Sequence, residues 1–158
     1  MVHRKKLTAE QALQRAKLYC AYQERCHAET KQKLYSFGLF KSDVDRIVSN
    51  LIEEDYLNEE RFAAAFARGK FRMKHWGRVK IAYELKQKNV SEYCIRKAVK
   101  QIAEDEYLEV LGKLAGEKLK ELNGEKSEMM RRKKIHDYLL QKGYERDLIF
   151  SIIDIIKE

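Results

Sequence analysis

The strongest constraint on this chain is that it repeats itself. Gly38, Asn89 and Gly143 stand 51 and 54 residues apart, and the residues around them agree without a gap. Four places before each is a leucine: Leu34, Leu85, Leu139. Six, nine, ten and thirteen places after each is an aliphatic residue: Val44, Ile47, Val48 and Leu51; Ile95, Ala98, Val99 and Ile102; Ile149, Ile152, Ile153 and Ile156. That spacing is one face of an α-helix. Gly and Asn are the types that most readily take the left-handed conformation in which a helix ends. One helix–turn–helix pair is therefore written three times, and a period near fifty residues marks a repeat architecture.

Each pair has a further helix before it. In the first repeat it runs from about Thr8 to Arg25, with Thr8 and Gln11 at capping-box spacing. In the third it runs from about Asp105 to Leu122, with Leu108, Leu111, Leu114 and Leu119, and stops at Asn123-Gly124. Gly112 and Gly116 within it read as a close-packing pair. In the middle repeat Asn58 caps the first helix, Trp76-Gly77 stops it, Asn89 turns the chain and Ser91 caps the last helix. Phe62, Ala65, Phe66, Gly69 and Met73 share a face of that first helix. The expected fold is all-α: three tandem three-helix repeats, residues 1–54, 55–103 and 104–158, forming an elongated, curved array. The absence of proline and of sustained β alternation agrees with it. A unit of fifty residues buries little by itself, and stacking on neighbours supplies shared core.

No apolar run approaches the roughly 18 residues of a membrane helix. No apolar segment follows the basic start, Met1 to Lys6, so export is not expected. Cys20, Cys26 and Cys94 are odd in number and unpaired in spacing, which points to a reducing cytoplasm.

The net charge of +8 is unevenly spread. Residues 55–103 hold 12 Lys and Arg against 5 Asp and Glu, whereas residues 104–158 hold 11 against 13. Between Arg61 and Glu84 there is no carboxylate. In that gap stand Arg68, Lys70, Arg72, Lys74, Arg78 and Lys80, interleaved with Phe71, His75 and Trp76. Such a run is either a solvated helix face or a surface for a polyanion or an acidic protein. The length of the gap and its aromatic interruptions favour the second. Trp76 can stack on a base or wedge between repeat helices. A second basic run, Arg131, Arg132, Lys133 and Lys134, follows Glu125 and Glu128 and ranks below the first.

Little in the sequence supports catalysis. There is no Gly-rich phosphate loop. His3, His27, His75 and His136 are scattered, and Cys20 with Cys26-His27 matches no common zinc spacing. The acids Glu53-Glu54-Asp55 and Glu104-Asp105-Glu106 fall at the joints between repeats and read as solvated helix ends. No catalytic residue, metal or cofactor is assigned.

The middle repeat resembles the RecX family of bacterial recombination regulators. The residues that carry the resemblance are Arg61-Phe62-Ala63, Phe66, Trp76-Gly77, Ile81, Glu84-Leu85 and Lys88-Asn89-Val90. Asn89 departs from the glycine usual there and keeps the turn. The likeness extends from about residue 8 to 156, by spacing alone in the outer repeats. It implies three tandem three-helix repeats and a non-enzymatic monomer that binds the RecA recombinase filament on single-stranded DNA. It also implies that ATP hydrolysis and strand exchange are suppressed. A direct, sequence-independent DNA-binding module is the second reading, and a scaffold for an unrelated acidic protein is the third.

Overall fold

The computed structural model describes residues 6–156, so His3 and the basic start up to Lys5 lie outside the described residues. Among the described residues the chain forms nine α-helices and no strand. They are α1 (Ala9–Tyr22), α2 (His27–Ser36) and α3 (Lys41–Glu53), then α4 (Glu59–Lys74), α5 (Arg78–Gln87) and α6 (Glu92–Lys100), then α7 (Glu104–Glu121), α8 (Glu128–Lys142) and α9 (Arg146–Ile156). None is long and apolar enough to cross a membrane.

The three turn residues take the same backbone state for the same reason. Gly38, Asn89 and Gly143 have φ of 85°, 62° and 98°, the left-handed region that reverses a chain at a helix end. The leucines four places earlier, Leu34, Leu85 and Leu139, are fully buried. Of the twelve aliphatic positions that follow the turns, nine are buried, and Val99, Ile152 and Ile156 are half-buried.

Helix starts follow the sequence closely. Thr8 and Gln11 exchange both bonds of a capping box. Asn58 Oδ1 accepts the Arg61 N–H at 2.9 Å, and Ser91 Oγ accepts the Cys94 N–H at 3.3 Å. A further cap has no oxygen: the Cys26 thiol accepts the Glu29 N–H, and Glu29 returns a bond to the Cys26 N–H. Cys20, Cys26 and Cys94 are free and buried, and burial raises the pKa of the first two thiols.

Contacts divide the chain into two compact units. The first lies within Met1–Ala65 and Leu85–Ile95. There α1, α2 and α3 pack pairwise around Ala16, Leu34, Val44 and Leu51, with Leu57 closing the cluster. Glu59 receives the Ser91 N–H at 3.0 Å, and Arg61 pairs with Glu24 and Asp55. The second lies within Phe66–Glu84 and Arg96–Glu158. There α7, α8 and α9 pack pairwise around Tyr107, Leu111, Leu139 and Ile149.

Two expected packing faces differ. In α4 the buried residues are Phe62, Ala63, Ala67 and Phe71, while Met73 is 80% exposed. The inward stripe follows small alanines and ends on Phe71, one position away from the cationic residues that flank it. Gly112 and Gly116 are not a close-packing pair: a Cβ on Gly112 would make ordinary contact with Ile152, and one on Gly116 would meet nothing within 4 Å.

Candidate functional site

The basic run lies wholly in the second compact unit, on the last two turns of α4, the connection 75–77 and the start of α5. Phe71 is the anchor. Its buried ring stands 5.8 Å from Tyr107, which stands 5.1 Å from Tyr144. With Phe71 turned inward, Arg68, Arg72 and Lys74 are exposed, and none forms an ion pair among the described residues. Arg68 and Arg72 are one helical turn apart and share a face.

His75, at φ 58°, ends α4 in a left-handed step. The carbonyls left free there find partners: Lys142 Nζ donates to Lys74 O at 3.2 Å, and the Tyr144 hydroxyl donates to His75 O at 2.9 Å. The chain then passes very close to the α8–α9 turn. The Gly77 N–H donates to Lys142 O at 2.8 Å, and the Val79 N–H donates to Gly143 O at 2.9 Å. Both glycines are required by this approach. A Cβ on Gly77 would lie 2.3 Å from Gly143 O, and one on Gly143 would lie 2.2 Å from the Cβ of Lys80.

Arg78 does not face outward with the rest. Its guanidinium pairs with Glu145 at 2.9 Å and with Glu104, and stacks 3.8 Å from the centroid of the Tyr107 ring. The Tyr107 hydroxyl accepts the Arg78 N–H at 3.0 Å and donates to Glu145. Burial works against the arginine's charge, but the bonds from Glu104 and Glu145 outweigh it and hold its pKa above the ordinary value. Burial pushes the phenols of Tyr107 and Tyr144 above the ordinary tyrosine range, so both stay protonated. Arg78 is thus the internal bolt of this surface and not part of its outer charge. Glu104, read as a solvated helix end, is one of its partners.

Trp76 is half-buried, and its ring collects its neighbours. Phe66 meets it edge-on at 6.4 Å, and the Lys70 and Lys80 ammonium groups stand 5.0 and 4.6 Å from its centroid. Met73, Val79 and Tyr83 add exposed apolar surface to the same stretch. The outward set is therefore Arg68, Arg72 and Lys74, which are exposed, with Lys70 and Lys80 half-buried on Trp76.

The second basic run is neutralised locally. Arg131 donates to Glu125 O, Arg132 pairs with Asp154 at 2.8 Å, Lys133 with Asp137 at 2.8 Å and Lys134 with Glu125 at 3.1 Å. Sequence reasoning did not find the partners of Arg78. A signal existed for Glu145. It sits where Phe40 and Ser91 sit relative to the other two turns, just before a helix, and glutamate is a poor N-cap. Its carboxylate is thus left available for a distant partner.

Residues 58–99 match a family model described as RecX, second three-helix domain, and residues 104–153 match the model of the third three-helix domain. A regulatory protein RecX of Prosthecochloris aestuarii is 29% identical over 143 residues, which cover 90% of this chain and 91% of that protein. One from Clostridium perfringens is 31% identical over 126 residues, covering 79% of this chain and 58% of its own length. One from Bacillus cytotoxicus is 25% identical and spans 89% of this chain but 52% of that protein, so the chain matches about half of some relatives. The crystal structure of RecX from Lactobacillus salivarius superposes with a TM-score of 0.84 at 26% identity, over 94% of this chain and 96% of that one.

Proposed function

Because the chain belongs to the RecX family of regulatory proteins, we propose that it regulates homologous recombination and DNA repair by binding the RecA recombinase filament on single-stranded DNA. In this reading it is not an enzyme and uses no cofactor. It acts in the cytoplasm as a monomer and lowers the recombinase's ATP hydrolysis and strand exchange. The three repeats, 1–54, 55–103 and 104–158, serve as modules of one binding protein. The observation that carries the reading is the cationic face on α4 and α5: Arg68, Arg72 and Lys74 face solvent, with Lys70 and Lys80 half-buried on Trp76, over a stretch with no carboxylate. A filament offers acidic protein surface and DNA phosphate together, and either satisfies such a face.

The test is a titration of the protein into RecA with single-stranded DNA and ATP. ATP turnover falls as the protein is added, and R68E/R72E/K74E shifts the half-effect at least tenfold higher. Turnover unchanged at excess wild-type protein ends the reading. The second reading, a DNA-binding module that needs no recombinase, is favoured by the unpaired lysines on Trp76. It requires tight binding to bare duplex with a logarithmic salt slope of about −3 to −4 for four phosphates neutralised.

A further inference from the structure

Trp76 is the single tryptophan of the chain, and two ammonium groups sit on it. Lys70 reaches it from α4 at 5.0 Å and Lys80 from α5 at 4.6 Å. The negative face of an indole attracts an ammonium group, so the ring serves as a seat for each. Lys70 is steered further by Phe66, 5.5 Å away, whose ring meets the indole edge-on. The two ammonium groups cannot be further apart than the sum of their distances to the shared centroid. No carboxylate relieves their repulsion, because the chain has none between residues 62 and 83 and neither lysine forms an ion pair among the described residues. Two like charges held beside one ring, with donors to spare, are balanced by a ligand that carries more than one negative charge.

The neighbours say which anion. Arg68 and Arg72 continue the cationic row along α4 at one-turn spacing, about 5.4 Å. That arrangement suits a polymer with one negative charge per unit better than a lone carboxylate. A base stacking on a face of Trp76 that holds an ammonium group would have to displace it. We propose that Lys70 and Lys80, seated on Trp76, grip the phosphodiester backbone of a single nucleic-acid strand, and that Trp76 positions them instead of stacking on a base. The assignment rests on the regulatory reading above and deepens it, by giving the basic face a direct DNA contact and the tryptophan a role.

The experiment compares two ligands with the same phosphates. The full chain is titrated with an oligothymidylate and with an abasic oligomer of equal length, following Trp76 emission. Both bind within about threefold of each other and change the emission in the same sense. Fluorescein-labelled strands then report the variants by anisotropy. K70Q and K80Q each weaken both ligands severalfold, and the double variant flattens the logarithmic salt slope by about 1.4, two phosphates at roughly 0.7 each. W76F keeps the seat and most of the affinity, whereas W76A weakens binding as the lysine variants do. An abasic strand bound more than tenfold less tightly makes Trp76 a stacking platform and overturns the proposal. So does a K70Q/K80Q protein that binds both strands unchanged. If that variant binds strands normally but no longer suppresses RecA ATP turnover, the pair contacts protein and this assignment alone falls. If the wild type binds strands as described but leaves turnover untouched, the regulatory reading falls and the phosphate grip stands.

Discussion

A single methyl group at position 77 would collide with another backbone. Its Cβ would stand 2.3 Å from Gly143 O and 2.6 Å from the Tyr144 nitrogen, and no rotamer moves either atom away. Gly77→Ala is expected to cost about 3 kcal/mol, from overpacking and from loss of the Gly77–Lys142 hydrogen bond, read as a lower urea midpoint. Gly69→Ala is the contrast. It lies inside α4 with nothing within 4 Å of the new methyl, and should gain roughly 0.5–1 kcal/mol in the same measurement. Asn89, at φ 62°, tolerates the left-handed state through its short polar side chain. Asn89→Ala should lose about 1 kcal/mol and Asn89→Gly should lose nothing, as thermal melts of the two variants would show. At this scale the turn residues and caps were legible before the structure, because Gly, Asn, Ser and Thr act on their own backbone neighbours. The thiol cap at Cys26 was not, because cysteine is seldom a capping residue.

At the scale of elements, the connection 75–77 owes its form to helices far along the chain. Arg78, Tyr107, Glu104 and Glu145 fasten the start of α5, and His75 and Trp76 before it carry the left-handed step and the indole. Tyr107→Phe keeps the ring stack with Phe71 and Tyr144 but removes the acceptor for the Arg78 N–H and the donor to Glu145. It should cost about 1–3 kcal/mol and broaden the Trp76 emission band, both measurable in one denaturation series. A separate fastening guards the start of α8. Lys134, then the Ser127 N–H, hold the Glu125 carboxyl below its ordinary pKa of 4.5. A depressed folded-state pKa gives stability that is present above the unfolded value and lost as pH falls through the folded one. Hydrogen exchange in the first turn of α8 should therefore accelerate only on the acid side of 4.5, and Lys134→Gln should shrink that step, leaving the part owed to the Ser127 N–H. Periodicity placed α1 and α7 within a few residues of their ends and fixed the apolar faces of α3, α6 and α9, since each apolar face repeats at short range. It did not reveal that Arg78 turns inward. Its partners are 26 and 67 residues away, and no local pattern links them.

For the molecule as a whole, the two basic runs look alike in sequence and differ in what balances them. The run on α8 is matched by Glu125, Asp137 and Asp154, whereas the outward set on α4 and α5 pairs with no acid among the described residues. Reversing charge in R68E/R72E/K74E should abolish most strand binding and leave the melting temperature within about 2 °C, as expected for exposed positions. Reversing R132E/K133E/K134E should lower the melting temperature and leave strand binding within about threefold, because those side chains serve ion pairs in the fold. Charge counting alone could rank the runs by their neighbouring acids, and did. It could not separate Arg78 from the outward set.

The close passage of Gly77 over Gly143 also limits how this protein can be cut and rejoined. A fragment ending near residue 103 would bare the Gly77 and Val79 amides, strip the guanidinium of Arg78 of both carboxylates and leave Phe71 facing water. Grafting the last module of a relative onto this chain should succeed only if the donor brings a glycine, a tyrosine and an acid equivalent to Gly143, Tyr107 and Glu145. The modules are copies of one another by descent of pattern, yet they are not interchangeable parts.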